Sequence, residues 1–208
     1  MKEKQKSISQ IREEFEAASA EKLPSLYQEY QEDTRTGVRN LILKYRKKEE
    51  ALEKEKERTE QMKVYEKQYE SRGYVCGFDE VGRGPLAGPV VAGAVILPKD
   101  CQILYLNDSK KLTAKKREEL YDVIMKEAVA VGIGYASPAR IDEINILQAT
   151  YEAMREAISN LPIQPDVLLN DAVKIPGVNI YQVPIIKGDA KSVSIAAASI
   201  VAKVTRDR

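Results

Sequence analysis

The chain has 208 residues, of which 43% are apolar and 31% charged, enough to bury one sizeable core and a smaller appendage. It contains no histidine, which excludes imidazole-based triads, Cys-His zinc sites and histidine general bases. Any catalysis must therefore use carboxylates, lysines, hydroxyls or a bound metal. The near-balance of 33 basic and 32 acidic residues identifies no binding partner by itself.

The cellular compartment is predicted from what the sequence lacks. No apolar run approaches the length of a membrane span, and the lysine-rich start has no apolar core of the signal-peptide type. We therefore expect a cytoplasmic protein with no membrane partner. Cys76 and Cys101 fit reduced, small apolar side chains there, although a disulfide between them is conceivable.

Residues 1–70 are predicted to form a small, charged, all-helical extension with 16 basic and 16 acidic residues. Apolar residues recur at helical spacing from Ile8, and Thr36 can cap a further helix. The tract 44–70 is typical of a solvated helix held by charge pairs four residues apart. A connector is the simplest interpretation. The alternative is a substrate-binding module that grips a nucleic-acid backbone with Arg35, Arg39, Lys44, Arg46, Lys47 and Lys48.

Residues 71–208 are predicted to form a separate α/β domain, because ten of the eleven glycines and eight of the nine prolines lie there. Strand and helix patterns alternate along this part of the chain, which favours a mixed sheet. The predicted strands are 74–78, 90–97, 129–136, 166–171 and 180–186. The predicted helices are 113–128, with Thr113 as N-cap, 141–159 and 192–206, the last rich in small residues that imply close packing.

The stretch 77–89 sets two carboxylates and an arginine among four glycines, directly after an apolar strand. Asp79 and Glu80 fall at the predicted end of that strand. Successive strand side chains point to opposite faces, so both acids could serve one site only if the pleat breaks there. Gly82 and Gly84 allow such a break and let a phosphate or sugar hydroxyl approach the backbone. A nucleotide-binding P-loop is disfavoured, because no Gly-Lys-Ser/Thr follows.

Four acids occupy strand ends and turns of the predicted domain: Asp79, Glu80, Asp171 and Asp189. Open α/β sheets bind ligands at the carboxyl ends of their strands, so Asp79 and Asp171 would converge if their strands are neighbours. Carboxylates gathered in one cleft raise one another's pKa unless cations neutralise them. Divalent ions suit such a cluster, and a pair of them is the site used for in-line hydrolysis of phosphodiesters. Asp189 could instead be a plain N-cap of the last helix.

The stretch 77–92 resembles the signature of ribonuclease HII. Three later segments, 107–112, 187–189 and 194–207, are similar to that family's motifs, in its order and at about its spacing. The resemblance covers roughly 74–208. It implies a ribonuclease H-like mixed five-stranded sheet in the order 3-2-1-4-5 flanked by helices, which places the first and fourth strands side by side.

The resemblance also implies roles for individual residues. Asp79, Glu80 and Asp171 match the family's metal-binding acids, and Asp189 matches its fourth catalytic acid. The loop that reads the 2′-hydroxyl and phosphate beside an RNA–DNA junction is matched by Gly82, Arg83 and Gly84. Weaker candidates for phosphate contacts are Lys110, Lys187 and Lys203. Asn170 departs from the family, where an apolar residue is usual, and the closing helix with its junction-packing tyrosine is expected to be missing after Arg208.

The implied activity is hydrolysis of RNA within RNA–DNA hybrids, and of duplex DNA at embedded ribonucleotides, by two metal ions, Mn²⁺ or Mg²⁺. The products would carry 5′-phosphate and 3′-hydroxyl ends. The 2′-hydroxyl and the duplex shape, rather than base sequence, would select the substrate. A catalytically silent hybrid-binding protein and an interaction module built on the charged helix stay open as alternatives. We expect a monomer, and the sequence identifies no protein partner.

Overall fold

The computed structural model describes residues 5–84 and 88–208. The chain packs as two compact units, which divide between Lys56 and Glu57. This division falls inside a helix and ahead of the predicted boundary at 70/71. The assignment of separate roles to 1–70 and 71–208 stays a prediction.

The first unit is helical. Its helices are α1 (Ile8–Ala17), α2 (Leu23–Tyr30) and the first part of α3 (Thr36–Gln61). Ser7 and Gln10 form a capping box at the start of α1. Phe15 lies at the centre of the core, with ring centroids 5.8 Å from Tyr27 and 5.1 Å from Tyr45. The apolar spacing that predicted these helices therefore corresponds to the buried face.

The predicted solvated helix over 44–70 is wrong in its last part. α3 ends at Gln61, and α4 (Val64–Tyr69) follows. Thr59, Met62 and Lys63 are buried, and Met62 packs in the core of the second unit. The mixed charge of 44–70 predicted a solvated helix, but Thr59, Met62 and Lys63 are buried among the charged residues.

The second unit contains a mixed five-stranded sheet in the order β3-β2-β1-β4-β5, which confirms the predicted order. Its strands are β1 (Val75–Val81), β2 (Val90–Ile96), β3 (Ala130–Ala136), β4 (Val167–Asp171) and β5 (Tyr181–Ile185). β1 pairs antiparallel with β2 and parallel with β4. The other two pairings are β2 with β3, antiparallel, and β4 with β5, parallel.

Four further helices belong to this unit: α5 (Ala114–Glu127), α6 (Pro138–Ile144), α7 (Ile146–Ser159) and α8 (Val193–Asp207). Thr113 caps α5 by accepting the N–H of Lys116, as predicted. The single helix predicted over 141–159 is wrong, because the chain breaks at Asn145, where φ is +72°. The Asn145 side chain then accepts two N–H groups at the start of α7, while its backbone, at φ +72° and ψ +162°, lies in a region that few residues other than glycine adopt.

Helices α7 and α8 cover opposite faces of the sheet, and glycines let their backbones come close. A Cβ added at Gly77 would lie 2.0 Å from the carbonyl carbon of Ser194, and one at Gly93 would lie 2.6 Å from the carbonyl oxygen of Ala198. The small side chains of α8 were predicted to permit such an approach. This contact fixes α8 against β1 and β2.

The helices of the described ranges do not include a candidate membrane span. None of them has both the length and the apolar character that crossing a membrane requires. The longest, α3, has 26 residues but is heavily charged.

Candidate active site

The parallel pairing of β1 with β4 sets the position of two acids. The last pair in this register is Phe78 with Asn170, and the next residues are Asp79 and Asp171. The prediction that β1 ends before Asp79 is wrong, since β1 stays paired with β2 as far as Val81. What ends at Phe78 is the pairing with β4, so the acids still lie at an edge where the sheet opens.

Asp79 is the most buried acid of this edge, with 9% of its surface exposed. Its Oδ1 accepts the N–H of Glu80 at 2.8 Å. Burial raises the pKa of Asp79 well above its ordinary value, and the charges of Glu80 and Asp171 raise it further. A hydrogen bond with the Ser199 hydroxyl offsets part of that rise.

Glu80 has a second set of neighbours. Burial raises the pKa of its carboxyl, and the charge of Asp171 adds to the rise. The Arg83 guanidinium, 3.3 Å from Oε1, and the Lys110 ammonium act in the opposite direction. Side chains alternate along β1, so Glu80 and Asp79 point to opposite faces. The charge of Asp171 at the open edge nevertheless raises the pKa of both carboxyls.

Asp171 connects β4 to the segment that carries Asp189. Its Oδ1 accepts the N–H of Gly188 at 2.8 Å, at the start of a short 3₁₀ helix, Gly188–Ala190. Burial raises the pKa of Asp189, the charges of Asp108 and Asp171 add to it, and nearby lysines reduce it. The alternative that Asp189 caps α8 is wrong, because the Ser192 hydroxyl takes that position.

The glycine loop lies beside these acids. Gly82 has φ +105°, and a Cβ there would lie 2.2 Å from the carbonyl oxygen of Pro89. Arg206, near the end of α8, donates from Nε to the same oxygen at 2.8 Å. A Cβ at Gly84 would meet no described atom within 4 Å. The predicted motif also includes 85–87, which lie outside the described residues.

The three predicted lysines differ in their surroundings. Lys110 lies close enough to Glu80 and Asp189 to lower the pKa of both carboxyls. Lys203 pairs with Asp207 at 2.5 Å, and Lys187 is exposed with a left-handed backbone. The structure therefore brings Lys110 to the acids, while phosphate contacts by Lys187 and Lys203 stay predictions.

Three contributing residues were missed as site residues by the sequence reasoning. Asp108 accepts the N–H of Lys110 at 2.9 Å and raises the pKa of Asp189. The hydroxyls of Ser109 and Ser199 lie 3.0 Å apart and extend the contact of Ser199 with Asp79. Two sequence features could have identified them: the motif over 107–112, which contains Asp108 and Ser109, and the small polar residues of α8, which include Ser199.

The acidic side chains at this edge are not yet arranged to coordinate a metal ion together. In the parts of the chain that the structure describes, no three Cys, Asp or Glu side chains are already placed to hold one ion in common. The acids nevertheless suit a divalent cation, because burial and neighbouring negative charge raise the pKa of Asp79, Glu80 and Asp189 together. A hard cation with oxygen ligands would remove that repulsion.

Comparison with known proteins gives two family matches. The model described as "Ribonuclease HII" matches residues 76–208, and the one described as "Ribonuclease HII N-terminal domain" matches 7–70. The ribonuclease HII of Lachnoclostridium phytofermentans is 62% identical over 201 residues, which cover 97% of this chain and 79% of the relative.

Solved structures agree in fold. The ribonuclease H2 of Pyrococcus horikoshii OT3 is similar with a TM-score of 0.58 at 30% identity, over 65% of this chain and 72% of that one. The ribonuclease HII of Archaeoglobus fulgidus, solved in a complex with PCNA, has a TM-score of 0.52 at 30% identity, over 65% and 73% of the two chains. Our expectation of a monomer stays a prediction.

The sheet order and the acids at its open edge define a nuclease of the ribonuclease H-like fold. The chain belongs to the ribonuclease HII family, whose members are metal-dependent endoribonucleases. Ribonuclease H activity follows from this membership.

Proposed function

We propose that this chain cuts the RNA strand of RNA–DNA hybrids, cuts duplex DNA at embedded ribonucleotides, and leaves 5′-phosphate and 3′-hydroxyl ends. The observation that carries the proposal is the electrostatic coupling of Asp79, Glu80 and Asp189 to Asp171 at the edge where β1 and β4 separate. Such a concentration of carboxyl groups suits a reaction on a phosphodiester only with cations present.

Asp79, Glu80 and Asp171 would hold the divalent ions, Mg²⁺ or Mn²⁺, with Asp189 beside them. Two such ions, when bound, stabilise the charge on the phosphate during in-line displacement. The protein's part is to orient the carboxylates. The Glu80 N–H and the Ser199 hydroxyl hold Asp79, and the Gly188 N–H holds Asp171.

Substrate selection would belong to the loop and the nearby cations. No atom of the described residues lies within 4 Å of where a Cβ at Gly84 would be, which favours the approach of a ribose there. The side chains of Arg83 and Lys110 supply positive charge next to Glu80, where a phosphate would approach. The 2′-hydroxyl distinguishes RNA from DNA at such a position.

The N-terminal unit would add affinity for the duplex backbone. Between Asp33 and Glu49 the chain has six basic residues and no acidic one. Lys44, Lys47 and Lys48 are exposed on α3. The remaining three have intramolecular contacts: Arg35 and Arg39 with residue 33, and Arg46 with the ring of Tyr27. The three exposed lysines are thus the main candidates for phosphate contacts.

A cleavage assay tests the proposed activity. The protein is incubated with Mg²⁺ or Mn²⁺ and three labelled duplexes: an RNA–DNA hybrid, a DNA duplex with one ribonucleotide, and an all-DNA duplex. We expect cleavage of the first two only, with 5′-phosphate and 3′-hydroxyl ends. Binding to both without cleavage would support the silent hybrid-binding protein instead, and equal cleavage of all-DNA would reject 2′-hydroxyl selection.

The number of ions is a separate question. Single-turnover rates measured against metal concentration should rise more steeply than the first power if two ions act together. A hyperbolic dependence of the rate on metal concentration, as expected for one ion, would contradict the two-ion mechanism. It would leave the substrate assignment intact.

A further inference from the structure

A short 3₁₀ helix, Ser109–Lys111, carries Lys110 to the acids of the candidate active site. Asp108 caps this helix by accepting the N–H of Lys110 at 2.9 Å. The charge of Lys110 lowers the pKa of Glu80 and Asp189, so its ammonium group lies within electrostatic range of both carboxyls. A helix this short is marginal by itself, so contacts from outside it decide where Lys110 lies.

Arg117 of α5 contacts both ends of this 3₁₀ helix. Its Nη1 donates to the carbonyl oxygen of Ser109 at 3.1 Å and to that of Leu112 at 2.6 Å. Its Nη2 lies 3.7 Å from Oδ2 of Asp207 on α8, and the side chain is only 15% exposed. The guanidinium group is planar and rigid, so it holds the two carbonyl oxygens, and Lys110 between them, in a fixed arrangement.

The place of Arg117 in α5 makes these contacts more significant. It is the fourth residue of the helix, and the positive end of a helix dipole disfavours a cation in the first turn. The Ser109 and Leu112 carbonyl oxygens and the Asp207 carboxylate offset that cost. An arginine that served solubility alone would extend into water, whereas this side chain reaches back past the start of α5.

Ser199 holds the same 3₁₀ helix from the other side. Its Oγ accepts the N–H of Ser109 at 3.4 Å and donates to the Ser109 hydroxyl at 3.0 Å. Ser199 also bonds Asp79. Loss of Arg117 would therefore leave the end near Asp79 attached and release the end that follows Lys110. Such a change would affect a phosphate contact more than the metal-binding acids.

We propose that Arg117 is a positioning residue for substrate binding, which fixes the backbone at Ser109 and Leu112 so that the Lys110 ammonium is in place for a phosphate of the duplex. Arg117 itself does not touch the substrate. This inference rests on the proposed function, in which Lys110 supplies positive charge where a phosphate approaches.

A double-mutant cycle tests the proposal with the full chain, Arg117→Gln, Lys110→Gln and the double variant. The Kd for a DNA duplex with one ribonucleotide is measured in EDTA, and KM and kcat are measured in Mg²⁺. We expect Lys110→Gln to raise Kd and KM at least about 10-fold and Arg117→Gln to raise them about 5-fold, with kcat within about 2-fold of the parent. When Lys110 is already replaced, Arg117→Gln should add no more than about 2-fold. Effects that multiply would overturn the proposal, because Arg117 would then touch the substrate or act on the whole fold.

Arg208→Gln is the matched control. Arg208 also joins α8 to α5, by pairing at 2.6 Å with Glu118, the residue after Arg117. Its variant should bind the duplex within about 2-fold of the parent. Hydrogen exchange gives a second readout without metal or substrate: the N–H groups of Lys110 and Lys111 should exchange several fold faster in Arg117→Gln and at the parent rate in Arg208→Gln. Unchanged exchange in Arg117→Gln, or equal loss of binding in the control, would overturn the proposal.

Failure of this inference and failure of the proposed function give different results. A parent that binds the duplex without cutting it would reject the proposed activity, and the cycle in Kd would still decide the role of Arg117. A parent that cuts the duplex, with effects that multiply, would reject the role of Arg117 alone. A parent that neither binds nor cuts would reject both. If Arg117→Gln fails to fold, Arg117→Lys, which keeps the charge but not the planar fork, replaces it in the same cycle.

Discussion

Asp79 and Asp171 each stand one residue beyond Phe78 and Asn170, the last pair that joins β1 to β4. From this point β1 continues along β2, while Asp171 pairs with Ile185 of β5. The sheet therefore forks between the two acids. A fork of this kind is where open α/β sheets bind their ligands.

The first prediction concerns the acids at the fork. Asp79→Asn or Asp171→Asn removes a charged ligand, and we expect cleavage at saturating substrate to fall by at least about 10²-fold. The measurement is a single-turnover rate with the ribonucleotide-containing duplex. Asp142→Asn, on the exposed surface of α6, is the control and should match the parent. A loss of only a few fold in both active-site variants would reject their assignment.

The second prediction concerns pH. Burial and neighbouring charge raise the pKa of Asp79 in the folded protein, so the folded state keeps a proton that the unfolded chain has lost. Stability from this group is therefore present at low pH and falls as pH rises from about 3.9 towards the raised pKa. In EDTA, Asp79→Asn should raise the melting temperature over the parent more at pH 7 than at pH 4. An equal difference at both pH values would contradict this origin.

The third prediction separates two glycines of the loop. Gly82→Ala places a Cβ against the Pro89 carbonyl at positive φ, and should cost about 1–3 kcal/mol of unfolding free energy. A Cβ at Gly84 meets no described atom within 4 Å, so Gly84→Ala should change stability by less than about 0.5 kcal/mol. If Gly84 borders the ribose, its variant should still bind the ribonucleotide duplex more weakly. Denaturant unfolding and duplex titration measure the two effects, and equal destabilisation by both variants would refute the distinction.

The fourth prediction concerns the hydroxyl that orients Asp79. Ser199→Ala removes a hydrogen bond that lowers the pKa of Asp79, and also the contact with Ser109. We expect the Mg²⁺ concentration for half-maximal activity to rise several fold, while the rate at saturating Mg²⁺ changes little. Ser159→Ala, exposed at the end of α7, serves as control. A lower saturating rate with unchanged metal dependence would assign Ser199 a different role.

The fifth prediction concerns the exposed lysines of α3. Replacing Lys44, Lys47 and Lys48 by Gln should weaken hybrid binding across sequences and reduce the log–log salt slope by about 0.9 for each phosphate that the variant no longer neutralises. Cleavage at saturating substrate should persist. The control replaces Lys54 and Lys56, which pair with glutamates on the same helix, and slopes are compared per lysine removed. Identical slopes for the two variants would favour the connector interpretation of this segment.

The order of the sheet and most strand bounds were predictable from the sequence. Apolar runs bounded by turn residues marked the five strands, and Thr113 marked the start of α5. The sheet order itself came from the motif resemblance. The placement of acids on neighbouring strands followed from that order, because parallel strands end at the same edge.

Other features depended on packing that a local pattern does not contain. The length of β1 is set by its pairing with β2, so no signal near Asp79 could show that the strand continues to Val81. Ser192 and Asp189 are both good capping residues, and only the packing of α8 decides between them. The nearness of Asp108 to Asp189 joins positions about 80 residues apart in the sequence, which spacing alone cannot reveal.

The contact of Gly77 with Ser194 bears on how this site could be moved to another protein. Gly77 lies on the same strand face as Asp79, two residues away, and the missing side chain lets α8 carry Ser199 up to that acid. A methyl group at position 77 would push α8 away from β1 and separate Ser199 from Asp79. A design that places the acids on a new scaffold must therefore include this glycine as well. The distance between Ser199 and Asp79 depends on a position that has no functional group.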